Sequence, residues 1–184
     1  IGFAKLRSSE PPADLRLWLE REGWWSSTTQ SGAQSGGNSL YDVPLPIASW
    51  ERFDQLFAWD QRPFGDAVTH GASYLGAAVR SFFAQGGRKC YVVSLGEPAA
   101  LDADRAARDA LLSKLVPQDT GQRSRRSEWH GLHHLFGLPG AAFVSMPDLP
   151  ELVGVYREAT ATPIVVPPAL PEFVECSEST APAE

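Results

Sequence analysis

Glu128, His130, His133 and His134 form the one cluster of ligand-type side chains in this sequence. On a helix, His130 and His133 (i, i+3) or His130 and His134 (i, i+4) would share a face and could grip one metal ion. No third ligand stands at a meaningful spacing, and the zinc-protease order, with Glu directly after the first His, is absent. The cluster therefore reads more simply as partly exposed structural histidines. The alternative is a small α/β metal-binding or hydrolytic enzyme using His130, His133 or His134. His70 has Asp66 four residues before it, but a Ser-His-Asp arrangement needs its nucleophile on a strained turn, and no Gly-x-Ser-x-Gly is present. The nearest lookalike, Gln30-Ser31-Gly32, falls in a loop too polar to be preorganised. Gly86-Gly87-Arg88-Lys89 has the polarity of a phosphate loop reversed: its glycines close a helix and open a strand. Trp24-Trp25 and the other aromatics do not interleave with basic residues as a base-stacking platform would. No catalytic, cofactor-binding or metal residue is assigned, and no cofactor is expected.

The elements that would position these residues are read from periodicity. Residues 1–4 read as the end of a buried strand that starts before Ile1, so the chain is expected to be a fragment. Pro11-Pro12 precede a short helix with Leu15, Trp18 and Leu19 on one face. Residues 23–39, rich in Ser, Thr, Gln and Gly, read as a flexible inserted loop. Residues 43–48 form a strand that its two prolines confine to an edge or to a short length. Ser49 caps a helix carrying Trp50, Phe53, Leu56 and Phe57. The clearest helix spans 73–85, where Tyr74, Leu75, Ala78, Val79, Phe82 and Phe83 make one continuous stripe, and Gly86-Gly87 stops it. Residues 90–95 read as a buried central strand with Cys90 as a small core side chain. A helix over 102–115 uses Ala107, Ala110, Leu111 and Leu115. A further helix runs from Ser127 to Phe136, and residues 141–146 read as a second buried strand. This order predicts a layered α/β domain over 1–160, with a mixed central sheet flanked by helices. A Pro-rich linker and acidic tail over 161–184 would lead into a missing C-terminal part.

The 184 residues suit one domain plus a tail, with 43% hydrophobic and 21% charged residues. Sixteen glycines and 15 prolines favour long loops and exclude collagenous or coiled-coil chains. Two cysteines make no disulfide framework, and no apolar run approaches the roughly 18 residues of a membrane span. Residues 1–144 carry 15 basic and 15 acidic side chains, so the net charge of −6 resides in 145–184. A neutral body offers no field to attract nucleic acid or an anionic membrane, and puts little repulsion between copies of itself.

Three stretches carry a resemblance. The run from Val43 to Phe57 contains Ser49-Trp50-Glu51-Arg52-Phe53. The run from Tyr74 ends in Phe82-Phe83-Ala84-Gln85-Gly86-Gly87, and Cys90-Tyr91-Val92-Val93 follows. In this order they resemble the contractile tail sheath proteins of phages and related bacterial injection systems. Ile1-Gly2-Phe3-Ala4 looks like that family's first core strand, and Gly131-Leu132 through Met146-Pro147-Asp148-Leu149 resembles its later helix and strand end. The likeness covers residues 1–4 and 40–150. Family members are usually much longer, and the 23–39 loop lies outside the shared pattern.

The resemblance implies a mechanical role without an active site. Subunits would polymerise around an inner tube, meet baseplate and terminator components, and be linked by exchanged terminal strands. Contraction would drive the tube through a target envelope, as a cooperative switch between two packings of one subunit. Assembly would take place in bacterial cytoplasm, with no nucleic acid or membrane bound by this segment. A baseplate or terminator component that binds the sheath end without contracting is a further reading.

Overall fold

Pro12 holds the backbone extended just before α1 (Ala13–Arg21), whose first turn carries Asp14 and whose last carries Arg21, each favourable to the helix dipole. Leu15 and Leu19 are buried and Leu17 faces solvent, as the spacing predicts. Ser49 caps α2 (Trp50–Leu56): its hydroxyl accepts the Arg52 amide at 3.2 Å. Ser73 does the same for α3 (Tyr74–Ala84) through the Gly76 amide at 3.1 Å, and Gly86, at φ +86°, ends that helix. Asp104 caps α4 (Arg105–Leu115), and α5 (Leu149–Val153) is a single short turn and a half. The computed structural model describes residues 1–25, 39–64, 68–118 and 125–154. Residues 1–154 form one unit; most of the 23–39 loop and the 161–184 tail, with Cys176, lie outside the described residues.

The chain is mixed α/β: helices with small antiparallel sheets. The described strands pair two by two: β1 (Lys5–Leu6) with β3 (Phe57–Ala58), β2 (Leu45–Ile47) with β6 (Cys90–Val92), and β4 (Arg62–Pro63) with β5 (His70–Gly71). Thus three ladders stand among these residues where one central sheet was expected. The short length of β2 follows from Pro44 and Pro46, which lack amides to donate. Beyond β6 the chain runs parallel to residues 1–4. Gly2 donates to the Val93 carbonyl, Leu95 to Gly2 and Ala4 to Gly96, at 2.9–3.1 Å.

One apolar cluster gathers Leu15, Leu19, Trp24, Leu45, Ile47, Phe53, Phe57, Leu75 and Val79, with Cys90 packed at its margin. A second collects Phe3, Val93, Leu95, Leu115 and Leu152. No helix among the described residues is long and apolar enough to cross a membrane.

Four expectations are corrected. Of the α3 stripe, Leu75 and Val79 are buried, whereas Tyr74 and Phe82 stay partly exposed; Phe82 lies over Gly87 instead of the core. On α4 the inward face is Arg108, Leu111, Leu112 and Leu115, while Ala107 and Ala110 face solvent. No α-helix spans 127–136: Arg126–Glu128 and Gly131–Gly137 are 3₁₀ segments, broken where Gly131 adopts φ +52°. Residues 141–145 are not a buried strand. They run exposed, with Phe143 96% accessible, because residues 1–4 pair instead with 93–96.

Close packing of α3 against the Trp59 loop makes one glycine decisive. A Cβ on Gly76 would stand 2.5 Å from Trp59 Cβ and 3.0 Å from the capping Ser73 oxygen. Alanine is preferred to glycine in a helix by about 1 kcal/mol, but forcing a methyl group into a packed site costs about 1–3 kcal/mol. Gly76→Ala is therefore expected to lower the urea midpoint; a raised midpoint would show that Trp59 yields freely.

Candidate functional site

The fold brings two of the four histidines, His130 and His134, together at Asp42, a residue that no local sequence signal marks. Asp42 follows Tyr41 in the turn before β2 and adopts φ +54°, a left-handed conformation that Asp tolerates better than most residues. Its amide donates to the Ser94 carbonyl at 2.7 Å, which fixes the turn against the segment after β6. The carboxylate then faces Gly131–Gly137. His130 Nδ1 lies 2.6 Å from Oδ2, His134 Nε2 lies 3.0 Å from Oδ1, and the Gly131 amide donates to Oδ1 at 2.9 Å. Gly131 is required here: a Cβ would overlap the Lys114 carbonyl, and its φ is positive.

Burial pushes the Asp42 carboxyl pKa up, but the hydrogen bonds from His130, His134 and the Gly131 amide outweigh it and hold the group well below the usual carboxylate range. The ionised carboxylate accepts from both rings, so each histidine presents its bonded nitrogen as N–H. His134 is 1% exposed, lies edge-on to Trp24 at 5.4 Å, and keeps its other ring nitrogen buried without a hydrogen-bond partner. An Asp–His pair of this kind orients an imidazole, yet no hydroxyl or thiol among the described residues bonds its free nitrogen. No group of three or more His, Cys, Asp or Glu among the described residues is placed to hold a metal.

The other candidates are dispersed. His133 lies beside Phe136, at 6.2 Å between rings, and does not reach Asp42. The Glu128 backbone closes the first 3₁₀ turn through Arg125. His70 lies exposed in β5, bonded to the Val68 carbonyl, whereas Asp66 and Gln30-Ser31-Gly32 lie outside the described residues. Lys89 covers the Tyr91 ring, at 5.2 Å, in place of the α3 terminus. Trp24 is buried, packed edge-on to Trp129 and beneath the Arg126 guanidinium. An open groove of about 450 Å3 is lined by Ser49, Trp50, Glu51, Arg80, Phe83 and Gly87, and Arg80 leans there on the Trp50 and Trp59 rings.

A second polar cluster, also unforeseen, lies inside the fold. Arg62, 3% exposed, bonds both Glu151 oxygens at 2.6 Å and the Ala99 carbonyl at 2.9 Å, with its guanidinium over Tyr74. Beside it the buried Asp148 accepts the Phe3 amide at 3.1 Å. No sequence signal marks Asp42 or Asp148, since each partner lies at least 88 residues away. No protein-family model matches the chain, and no curated protein or solved structure matches it.

The Asp42 cluster yields a stability prediction with a definite sign. Because the folded carboxyl titrates below its unfolded value near 3.8, its stabilisation is fully present above about pH 5 and is lost as pH falls further. Asp42→Ala strands two ring N–H groups and the Gly131 amide, and is expected to cost roughly 2–4 kcal/mol at pH 7. Asp42→Asn tolerates the same backbone and should cost less. Chemical denaturation at pH 7 and pH 2.5 checks both, and the deficit of Asp42→Ala should shrink at the lower pH.

Proposed function

We propose that this chain is the core of a contractile tail sheath subunit, or part of one, with a layered arrangement like that of the sheath core. It would polymerise around an inner tube and transmit force through its contacts with neighbours. One observation carries the reading: residues 1–4 and the runs within 43–93 whose order resembles sheath proteins adjoin one another in one body, although 131–146 forms neither the helix nor the strand of that likeness. The strand at 45–47 pairs with 90–92, the Ser49-capped helix packs on the helix that ends in Gly86-Gly87, and residues 1–4 run parallel to 93–96. A parallel pairing between segments so far apart requires a long crossover, and here α2 and α3 lie within it. The neutral charge of residues 1–144 supports the same reading, because lattice neighbours then approach without net repulsion.

Head-to-tail contacts that do not close are what generate such a lattice. Contraction would exchange one packing of near-rigid bodies for another, each subunit releasing a little free energy. Full-length protein, expressed with and without tube protein, is expected to form long tubes in negative-stain micrographs. Protein that stays monomeric in both preparations overturns the proposal.

A further inference from the structure

Asp148 stands at the N-terminus of α5 but does not cap it; its carboxylate turns away to accept the Phe3 amide. Room for it exists only because residue 2 is glycine: a Cβ there would overlap the carboxylate and press on Leu75 Cβ at 3.3 Å. The cation best placed to neutralise Asp148 is Arg62, and both oxygens of Glu151 already occupy it. Arg62 itself is buried, so it has no water to share the second negative charge. The Ile1 amine is engaged with the Ser145 carbonyl at 2.8 Å, and Tyr74 lies under Arg62. On α4, Arg108 reaches the Leu101 carbonyl, and Lys114 extends toward Gly96. Were the chain extended before Ile1, an amide would replace that amine and Asp148 would have still less positive charge near it.

We propose that Asp148 is a proton-operated latch on the segment of residues 1–4: taking up a proton tightens that segment between residues 93–96 and α5, and losing it loosens the same contact. A protonated carboxyl still accepts the Phe3 amide through its carbonyl oxygen, so the hydrogen bond survives while the buried charge disappears. Burial pushes the Asp148 pKa up to about 6; the Phe3 amide, Arg62 and the Ile1 amine only partly offset it. The folded state thus binds this proton more tightly than an opened state near 3.8 does, and the segment is held best below pH 5 and least above pH 7. This inference is independent of the sheath reading.

Amide hydrogen exchange on the 184-residue protein tests it. After correction for intrinsic rates, protection at Phe3, Ala4 and Leu95 is expected to rise between pH 7.5 and pH 4.5, by less than the roughly 20-fold of Asp148 alone, because burial lowers the Ile1 amine pKa and its protonation works against the same contact. Gly131, which Asp42 holds, should show no such rise. Asp148→Asn keeps an acceptor for Phe3 without a charge; its protection should be high at neutral pH and show no rise toward low pH. Glu151→Gln leaves Arg62 free to turn to Asp148, so the rise should shrink and move to lower pH. A flat or falling profile in the natural protein overturns the latch, as does an Asp148→Asn protein that keeps the full rise. If that variant does not fold, the carboxyl-carbon NMR titration of Asp148 decides: a midpoint below 4.5 overturns the proposal.

Discussion

Residues 1–4 carry backbone amides and carbonyls into an apolar interior, and each such group left unpaired there would cost about 1–3 kcal/mol. Most of what surrounds them meets that requirement. The Ser94 hydroxyl donates to the Ala4 carbonyl at 2.8 Å and lies 3.1 Å from the Ala4 amide, while the Ser94 carbonyl accepts Asp42. Asp148 takes the Phe3 amide, and Tyr41 takes that of Leu6 at 3.0 Å. Ladders of two or three residues are not stable alone. Their register depends on this handful of buried polar contacts and on the apolar cluster behind them. The turn before β2, the parallel segment after β6 and the start of α5 therefore meet around residues 1–6.

Two carboxylates, Asp42 partly buried and Asp148 buried, serve that assembly with opposite electrostatics. Asp42 is surrounded by donors, remains ionised and is lost to the fold only when acid protonates it. Asp148 has one amide and a cation already committed to Glu151, so its charge opposes folding at neutral pH. The difference does not come from burial, which pushes both pKa values upward. It comes from how many N–H groups converge on each carboxylate. An Asp with three donors is a clamp, and an Asp with one is a liability until it takes a proton.

The helices were legible in the sequence wherever a local signal governed them. Ser49 before an apolar periodic run and Gly86 after one are decided within a turn of chain, and both behave as read. The failures lie where a distant partner decides. Residues 141–146 have the composition of a strand, but a strand needs a neighbouring edge, and residues 1–4 take theirs from 93–96. Arg108 on α4 faces inward, where the pattern of alanines placed solvent outside the other face. The histidine run has helical spacing, yet Gly131 in a left-handed conformation and the pull of Asp42 wind it as 3₁₀. The site was half visible: His130 and His134 stood out, whereas Asp42, which brings them together, carries no mark in its own neighbourhood.

A body built this way divides its polar interactions by purpose. Surface ion pairs such as Arg16–Glu20 and Arg105–Asp109 join residues one helical turn apart and contribute a few tenths of a kcal/mol. Asp42 with His134 and Arg62 with Glu151, each pair with one buried member, join segments about ninety residues apart. Removing one partner of a buried pair is costly, because the other is left charged without solvent, although the intact pair adds little over an apolar replacement. Such contacts specify one arrangement more than they deepen it. A wrong internal register would leave Glu151 or Asp42 without donors. Rigidity here follows from the penalty on alternatives, with the apolar clusters supplying the stability itself.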